Sequence, residues 1–211
     1  MGRIEELCAL IDPCESFADV GCDHGYCARH VLKSGKCGKV LITDISAKCL
    51  AKAEKLLADY IEAGKCRAAC CDGLALVPPD TEQILIAGMG GEEIIKILSE
   101  GFIPEKFVLQ PMKNAEKLRK FLLERGCKLT CDGIFKDEKF YFVIKGERDG
   151  GNEEYTPAEL AFGRDSIGTT ALKEYAAIEL KKSEAHLAGC ANAARREEIL
   201  KEIALYKEVL Q

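Results

Sequence analysis

Over the first 125 residues, apolar and polar positions switch repeatedly between the two-residue and the 3.6-residue period. Residues 16–20, 39–43, 67–71, 83–87 and 106–110 are short runs rich in apolar and β-branched side chains, and they read as strands. Helical spacing fills the gaps. An amphipathic segment over 4–10 precedes the first strand, and a helix follows the glycine-bearing turn 21–25 and runs to residue 32. Further helices are predicted over 46–63, with Ser46 as N-cap, over 92–98 and over 114–125. Strands that alternate with helices in this way predict a parallel sheet with crossover helices.

The pattern then changes. Residues 128–135 and 140–145 are strand-like, and Lys136-Asp137-Glu138-Lys139 joins them with no helix between, which predicts a hairpin. Five β/α units closed by an antiparallel hairpin make an α/β fold with a Rossmann-like sheet in the class I methyltransferase order; an NAD dehydrogenase more often continues with a sixth parallel unit. Residues 149–154 are polar and glycine-containing, a linker between a domain over 1–148 and a helical one over 155–211. In the latter, helices are predicted over 168–187 and 194–210. Leu172, Tyr175, Ile178 and Leu180 share one face, as do Ile199, Ile203, Tyr206 and Leu210, so the simplest product is a helical hairpin.

Composition narrows the picture. A chain of 211 residues with 47% apolar and 31% charged positions has room for one domain and an appendage, and it is neither disordered nor a disulfide miniprotein. Its net charge of -5 gives no whole-molecule positive field, so a polyanionic partner would need a local patch. Residues 105–148 supply one, with eleven Lys or Arg against seven Asp or Glu. Lys113, Lys117, Arg119, Lys120, Arg125 and Lys128 crowd one helix and its exit, either a phosphate-binding face or an ordinary solvated one. The twelve cysteines show no Cys-x-x-Cys spacing and there are only three histidines, so no metal site is expected and the thiols read as small apolar fillers. The start carries no run of signal-peptide length and no stretch reaches the ~18 apolar residues of a bilayer span. The expectation is a cytoplasmic chain without membrane association; no protein partner is implied, which favours a monomer.

Candidate chemistry gathers at the strand ends. Asp19-Val20-Gly21-Cys22-Asp23-His24-Gly25-Tyr26 turns the first strand into the first helix, where glycine admits a ligand to the backbone. Asp44 ends the second strand, in place to take the two hydroxyls of a ribose. With Asp23 at the second glycine position, a pyrophosphate would meet a negative charge, whereas the sulfonium and ammonium of S-adenosylmethionine would be favoured by it. Asp72-Gly73 either places a carboxylate beside an adenine amino group or is a plain turn. Similar glycine turns occur without ligands, and an Asp such as Asp44 also forms ordinary turns. Gly88-Met89-Gly90-Gly91 opens the crevice after the central strand, or simply starts a helix.

Taken together, Gly21-x-Asp23-His24-x-Tyr26, Ile86-Ala87-Gly88-Met89-Gly90-Gly91, Leu109-Gln110-Pro111 with Leu118-Arg119 and Leu122, and Lys139-x-Tyr141 resemble the TrmK family of bacterial tRNA adenine-22 N1-methyltransferases. The resemblance covers about residues 1–147. It implies S-adenosylmethionine-dependent methylation of N1 of an adenosine in the tRNA D-loop region, and a C-terminal helical, coiled-coil-like domain that helps hold tRNA. Gly21, Asp23, His24, Asp44, Ile45, Asp72, Gly73, Gly88, Met89, Gly90 and Gly91 are then the expected cofactor contacts. Asp23, His24 and Tyr26 are the expected catalytic set, and Gln110, Pro111, Lys113 and Arg119 the expected substrate contacts. In two respects the chain departs from the family: Met112-Lys113 follows Gln110-Pro111 where relatives usually carry Asn, and the tail is shorter than usual. Alternative readings are a methyltransferase of this fold acting on another RNA site or a small molecule, and a noncatalytic RNA-binding relative.

Overall fold

A computed structural model describes residues 2–211. Seven strands form one sheet in the order β3-β2-β1-β4-β5-β7-β6. They are β1 (Cys14–Val20), β2 (Cys37–Asp44), β3 (Cys66–Cys70), β4 (Gln83–Met89), β5 (Lys106–Pro111), β6 (Lys128–Lys136) and β7 (Phe140–Glu147). The first five run parallel, and β7 is antiparallel to both β5 and β6. This is the predicted Rossmann-like sheet with its terminal hairpin.

The period-2 pattern of the central strands explains why helices cover both faces. Leu85 and Val108 point into a core beneath α1 (Arg3–Ala9), α2 (Tyr26–Ser34) and α3 (Ala47–Leu56), together with Leu7, Phe17, Val31 and Ile42. Their neighbours Ile84, Ile86, Phe107 and Leu109 face the other way, into a core beneath α5 (Gly91–Glu100) and α6 (Ala115–Glu124). Strands buried on both faces need such continuous apolar runs.

Three elements differ from expectation. The helix predicted over 46–63 is broken into α3 and α4 (Ala58–Glu62) at the fully buried Leu57, which leaves helical geometry with φ -108° and ψ 12°. Ser46 does cap α3, accepting the Cys49 amide at 3.3 Å. Next, β4 continues past residue 87 through Gly88 and Met89; a bulge between Ala87 and Met89 keeps it paired to β5, so the following helix starts at Gly91. Lastly, a helix α7 (Pro157–Phe162) precedes the predicted hairpin of α8 (Thr170–Gly189) and α9 (Ala193–Val209). It carries a reciprocal cap, Thr156 Oγ1 accepting from the Glu159 amide and Glu159 from the Thr156 amide, with Pro157 at the first helical position.

The tail is joined to the sheet. Phe162, Leu172, Ala176 and Val209 form a third apolar cluster against Ile134 and Phe142 of the terminal hairpin. Among the described residues, no helix is long and apolar enough to cross a membrane.

Candidate functional site

The strand order reverses between β1 and β4, and the helices that follow them, α2 and α5, leave toward opposite faces of the sheet. A crevice must open at the carboxyl ends of that pair. There a cleft of about 510 Å³, within the small-molecule range, is lined by the ends of β1, β2 and β4, the turn after β3, and the start of α1.

The turn after β1 is fixed by backbone bonds to β2. Gly21 and Cys22 amides both donate to the Thr43 carbonyl, at 2.8 and 2.9 Å, and the Asp23 amide donates to Asp44 Oδ2 at 3.0 Å. Gly21 has φ +70°, a left-handed conformation, and a Cβ there would run into the Met89 side chain. Three successive amides of the turn are thus consumed inside the protein. A pyrophosphate is held by such amides when they are free, so the turn is unsuited to a dinucleotide. Asp44, in contrast, is oriented for a ligand. Its two oxygens take the Asp23 and Ser46 amides and keep lone pairs over for a pair of hydroxyls.

The cleft is acidic. Asp19, Asp23, Asp44, Asp72 and Glu93 line it, against Arg3 and His24 as the basic groups. Such walls favour a cationic ligand. Asp19 is 4% exposed and accepts the Ala28 amide at 3.1 Å; burial pushes its carboxyl up to about 7, helped by the nearby Asp44 charge. Thr43 also lines the cleft; its Oγ1 is buried with no hydrogen-bond partner among the described residues. Ile45 adds an exposed apolar surface beside Asp44. At the mouth, Asp23 sits at φ +48° and accepts a 2.7 Å bond from His24 Nδ1, which holds its carboxyl below the usual range. The His24 ring stacks on Tyr26 at 5.6 Å, leaving Tyr26 half exposed. The acidity and the pre-oriented Asp44 carboxylate fit a ribose-bearing sulfonium cofactor.

The structure sorts the sequence candidates. Gly21, Asp23, His24, Tyr26, Asp44, Ile45, Asp72, Gly73, Gly88 and Met89 share the cleft, whereas Gly90 and Gly91 lie outside its lining. Gly91 is instead a packing glycine: its amide donates to the Lys113 carbonyl at 2.8 Å, and a Cβ would strike the Lys113–Asn114 backbone. The expected substrate contacts divide. Lys113 is exposed, with its aliphatic chain over Gly90. Pro111 is buried. Gln110 is fully buried, its oxygen accepting from Arg3 Nε at 2.9 Å and Nη2 at 2.6 Å, so it holds Arg3 at the cleft instead of meeting a base. Arg119 is corrected outright, because it is fully buried, donates to both oxygens of Asp132 at 2.7 and 3.0 Å, and caps the Leu160 and Ala161 carbonyls of α7. Its guanidinium cannot reach a phosphate.

Sequence reasoning missed Arg3, Asp19, Thr43 and Glu93. Asp19 had a signal, since an acid two positions before Gly21 at the end of an apolar strand must be buried at the crevice. Arg3 had none, because its partner lies 107 residues away.

Comparisons with known proteins agree with this geometry. The methyltransferase-domain family model matches residues 1–144. A Mycoplasma pneumoniae protein named as a candidate tRNA methyltransferase is 32% identical over 151 residues, 69% of each chain. The Bacillus subtilis tRNA (adenine(22)-N(1))-methyltransferase is 26% identical over 186 residues, 85% of this chain and 78% of that protein. Among solved structures, Mycoplasma capricolum TrmK in complex with S-adenosyl-homocysteine superposes with a TM-score of 0.89 over 99% of this chain and 98% of that one. At 19% identity it speaks to the fold.

Proposed function

The chain belongs to the methyltransferase-domain family, and from its likeness to the TrmK-type tRNA methyltransferases we propose that it transfers a methyl group from S-adenosylmethionine to N1 of adenosine 22 of tRNA. The observation that carries the cofactor half is the acidic cleft at the switch point, whose turn amides are already spent and whose wall includes the pre-oriented Asp44. The substrate half rests on the likeness to the tRNA methyltransferases. The working form is a cytoplasmic monomer that binds RNA along the basic stretch 105–148 and the helical domain 155–211.

Bound S-adenosylmethionine supplies a methyl group on a cationic sulfur, transferred by in-line displacement. Asp44, pre-oriented by two backbone amides, takes the ribose hydroxyls. Ile45 would offer an apolar face to the adenine, and Asp72, which lines the same cleft, a carboxylate to its amino group. Asp19 would face the ammonium end, whose charge would favour the ionised form of a carboxyl that burial pushes up to about 7. The target nitrogen carries a free lone pair in neutral adenine, so positioning and exclusion of water do most of the work. That edge of the base is hidden in a duplex, so the nucleotide must enter unpaired. The stacked His24–Tyr26 pair at the mouth gives it a surface, and the Asp23 carboxylate faces the positive charge that grows on the ring as the methyl arrives.

Incubating the protein with unmodified tRNA and cofactor, then analysing nucleosides by mass spectrometry, tests this. 1-Methyladenosine is the predicted product. Another methylated nucleoside would move the enzyme to a different RNA site, and saturable cofactor binding with no modified tRNA would move it off RNA.

A further inference from the structure

Methyl transfer leaves the thiols without a role, and two of them form an unusual pair. Cys14 opens β1 and Cys37 opens β2. They are direct register partners in the parallel ladder, and their Sγ atoms are 2.7 Å apart. Adjacent strands lie about 4.8 Å apart, inside the Cα separation that a disulfide spans, so no backbone rearrangement is needed to join them. The pair sits at the amino ends of its strands, away from the cleft at the carboxyl ends. Cys14 is partly exposed and lines a surface depression with Glu15, Lys36, Lys65 and Glu82; Cys37 is buried behind it. The two thiols are not equivalent. Cys14 is the sulfur that a reagent can reach, whereas Cys37 is buried, and either thiol can donate in the contact between them. An accessible thiol backed by a second, buried one has the layout of an attacking and a resolving cysteine. Among the described residues no group of three His, Cys, Asp or Glu could hold a metal ion. A second close pair, Cys8 and Cys27, is buried in the core under α1 and α2 and provides an internal comparison.

We propose that Cys14 and Cys37 form a reversible dithiol–disulfide site that reacts with small disulfide oxidants of the glutathione type. The Cys14 thiolate attacks one sulfur of the oxidant, forming a mixed disulfide and expelling one thiolate. Cys37 then gives up its proton and its sulfur attacks Cys14 Sγ, forming the internal bond and expelling the second thiolate. Two protein thiols are oxidised, the oxidant disulfide is reduced to two small thiols, and both protons end on those thiols. The new bond closes the β1–α2–β2 unit, whose far ends carry Gly21 and Asp44.

The full-length protein treated with glutathione disulfide provides the test, read by native thiol titration, intact mass and mapping with trypsin together with a glutamate-specific protease, which puts Cys14 in peptide 7–15, Cys27 in 16–29 and Cys37 in 37–39. Wild type should lose the Cys14 and Cys37 thiols with no lasting glutathione on Cys14, and show the Cys37 peptide joined to the Cys14 peptide, all reversed by dithiothreitol. Cys37→Ser should stop at a glutathione adduct on Cys14. Cys14→Ser should release glutathione at least about tenfold more slowly than wild type. A lasting adduct on wild-type Cys14, linkage between Cys8 and Cys27, an undiminished rate in Cys14→Ser, or no loss of thiols would each overturn the proposal.

Discussion

At the scale of single residues, two of the cleft's carboxylates, Asp19 and Asp44, sit where water is scarce. Asp19 is the extreme case. Its folded pKa of about 7 lies above the unfolded value of 3.8, so folding takes up a proton between those limits. The stability it contributes is complete below pH ~4 and is lost as pH rises through about 7. Asp19→Asn keeps an acceptor for the Ala28 amide and removes the titration, so its stability advantage over wild type should widen by on the order of 2 kcal/mol between pH 5 and pH 8. Denaturant titrations at the two pH values check this, and a constant gap would refute it. Asp44→Ala should weaken S-adenosylmethionine binding in calorimetry by tenfold or more, since a ribose contact and two amide anchors go together. Asp23→Ala should lose turnover while largely keeping cofactor affinity; an unchanged rate on unmodified tRNA would remove Asp23 from the chemistry.

Among the elements, those with their own periodicity were legible in the sequence, and those set by distant contacts were not. The five parallel strands and the hairpin are written in apolar runs such as 83–87. The break at Leu57 reflects tertiary burial of one side chain and leaves no local mark. By contrast, α7 had a readable signal in Thr156-Pro157-Ala158-Glu159, but its short apolar face only makes sense once it packs on α8, α9 and the terminal hairpin, with α6 beside it. The joint between them is Arg119, whose place in a basic run suggested the surface and whose partner Asp132 and carbonyl contacts put it inside. Breaking a buried pair leaves a lone buried charge, so Arg119→Met should destabilise by about 3 kcal/mol or more. Adding Asp132→Leu should recover part of that loss in chemical denaturation. If the single variant costs less than about 1 kcal/mol, the joint does not hold the tail.

For the whole molecule, the question is how a chain of net charge -5 holds a polyanion. The helical tail 155–211 has eight Lys or Arg against nine Asp or Glu, and many of these pair with one another, as Lys182 with Glu179, Lys201 with Glu197 and Lys207 with Glu184. Positive charge free for phosphates is therefore richer along α6 and its exit, where Lys113 and Lys128 are exposed and have no ion partner among the described residues. Replacing both with Ala should weaken tRNA binding and reduce the slope of log affinity against log salt by about 0.7 to 1 per charge removed. The central claim is tested most directly by radiolabelled methyl transfer to two tRNA transcripts that differ only in carrying adenine or guanine at position 22. Label should enter the first and fall to background in the second; equal labelling of both would contradict the assignment.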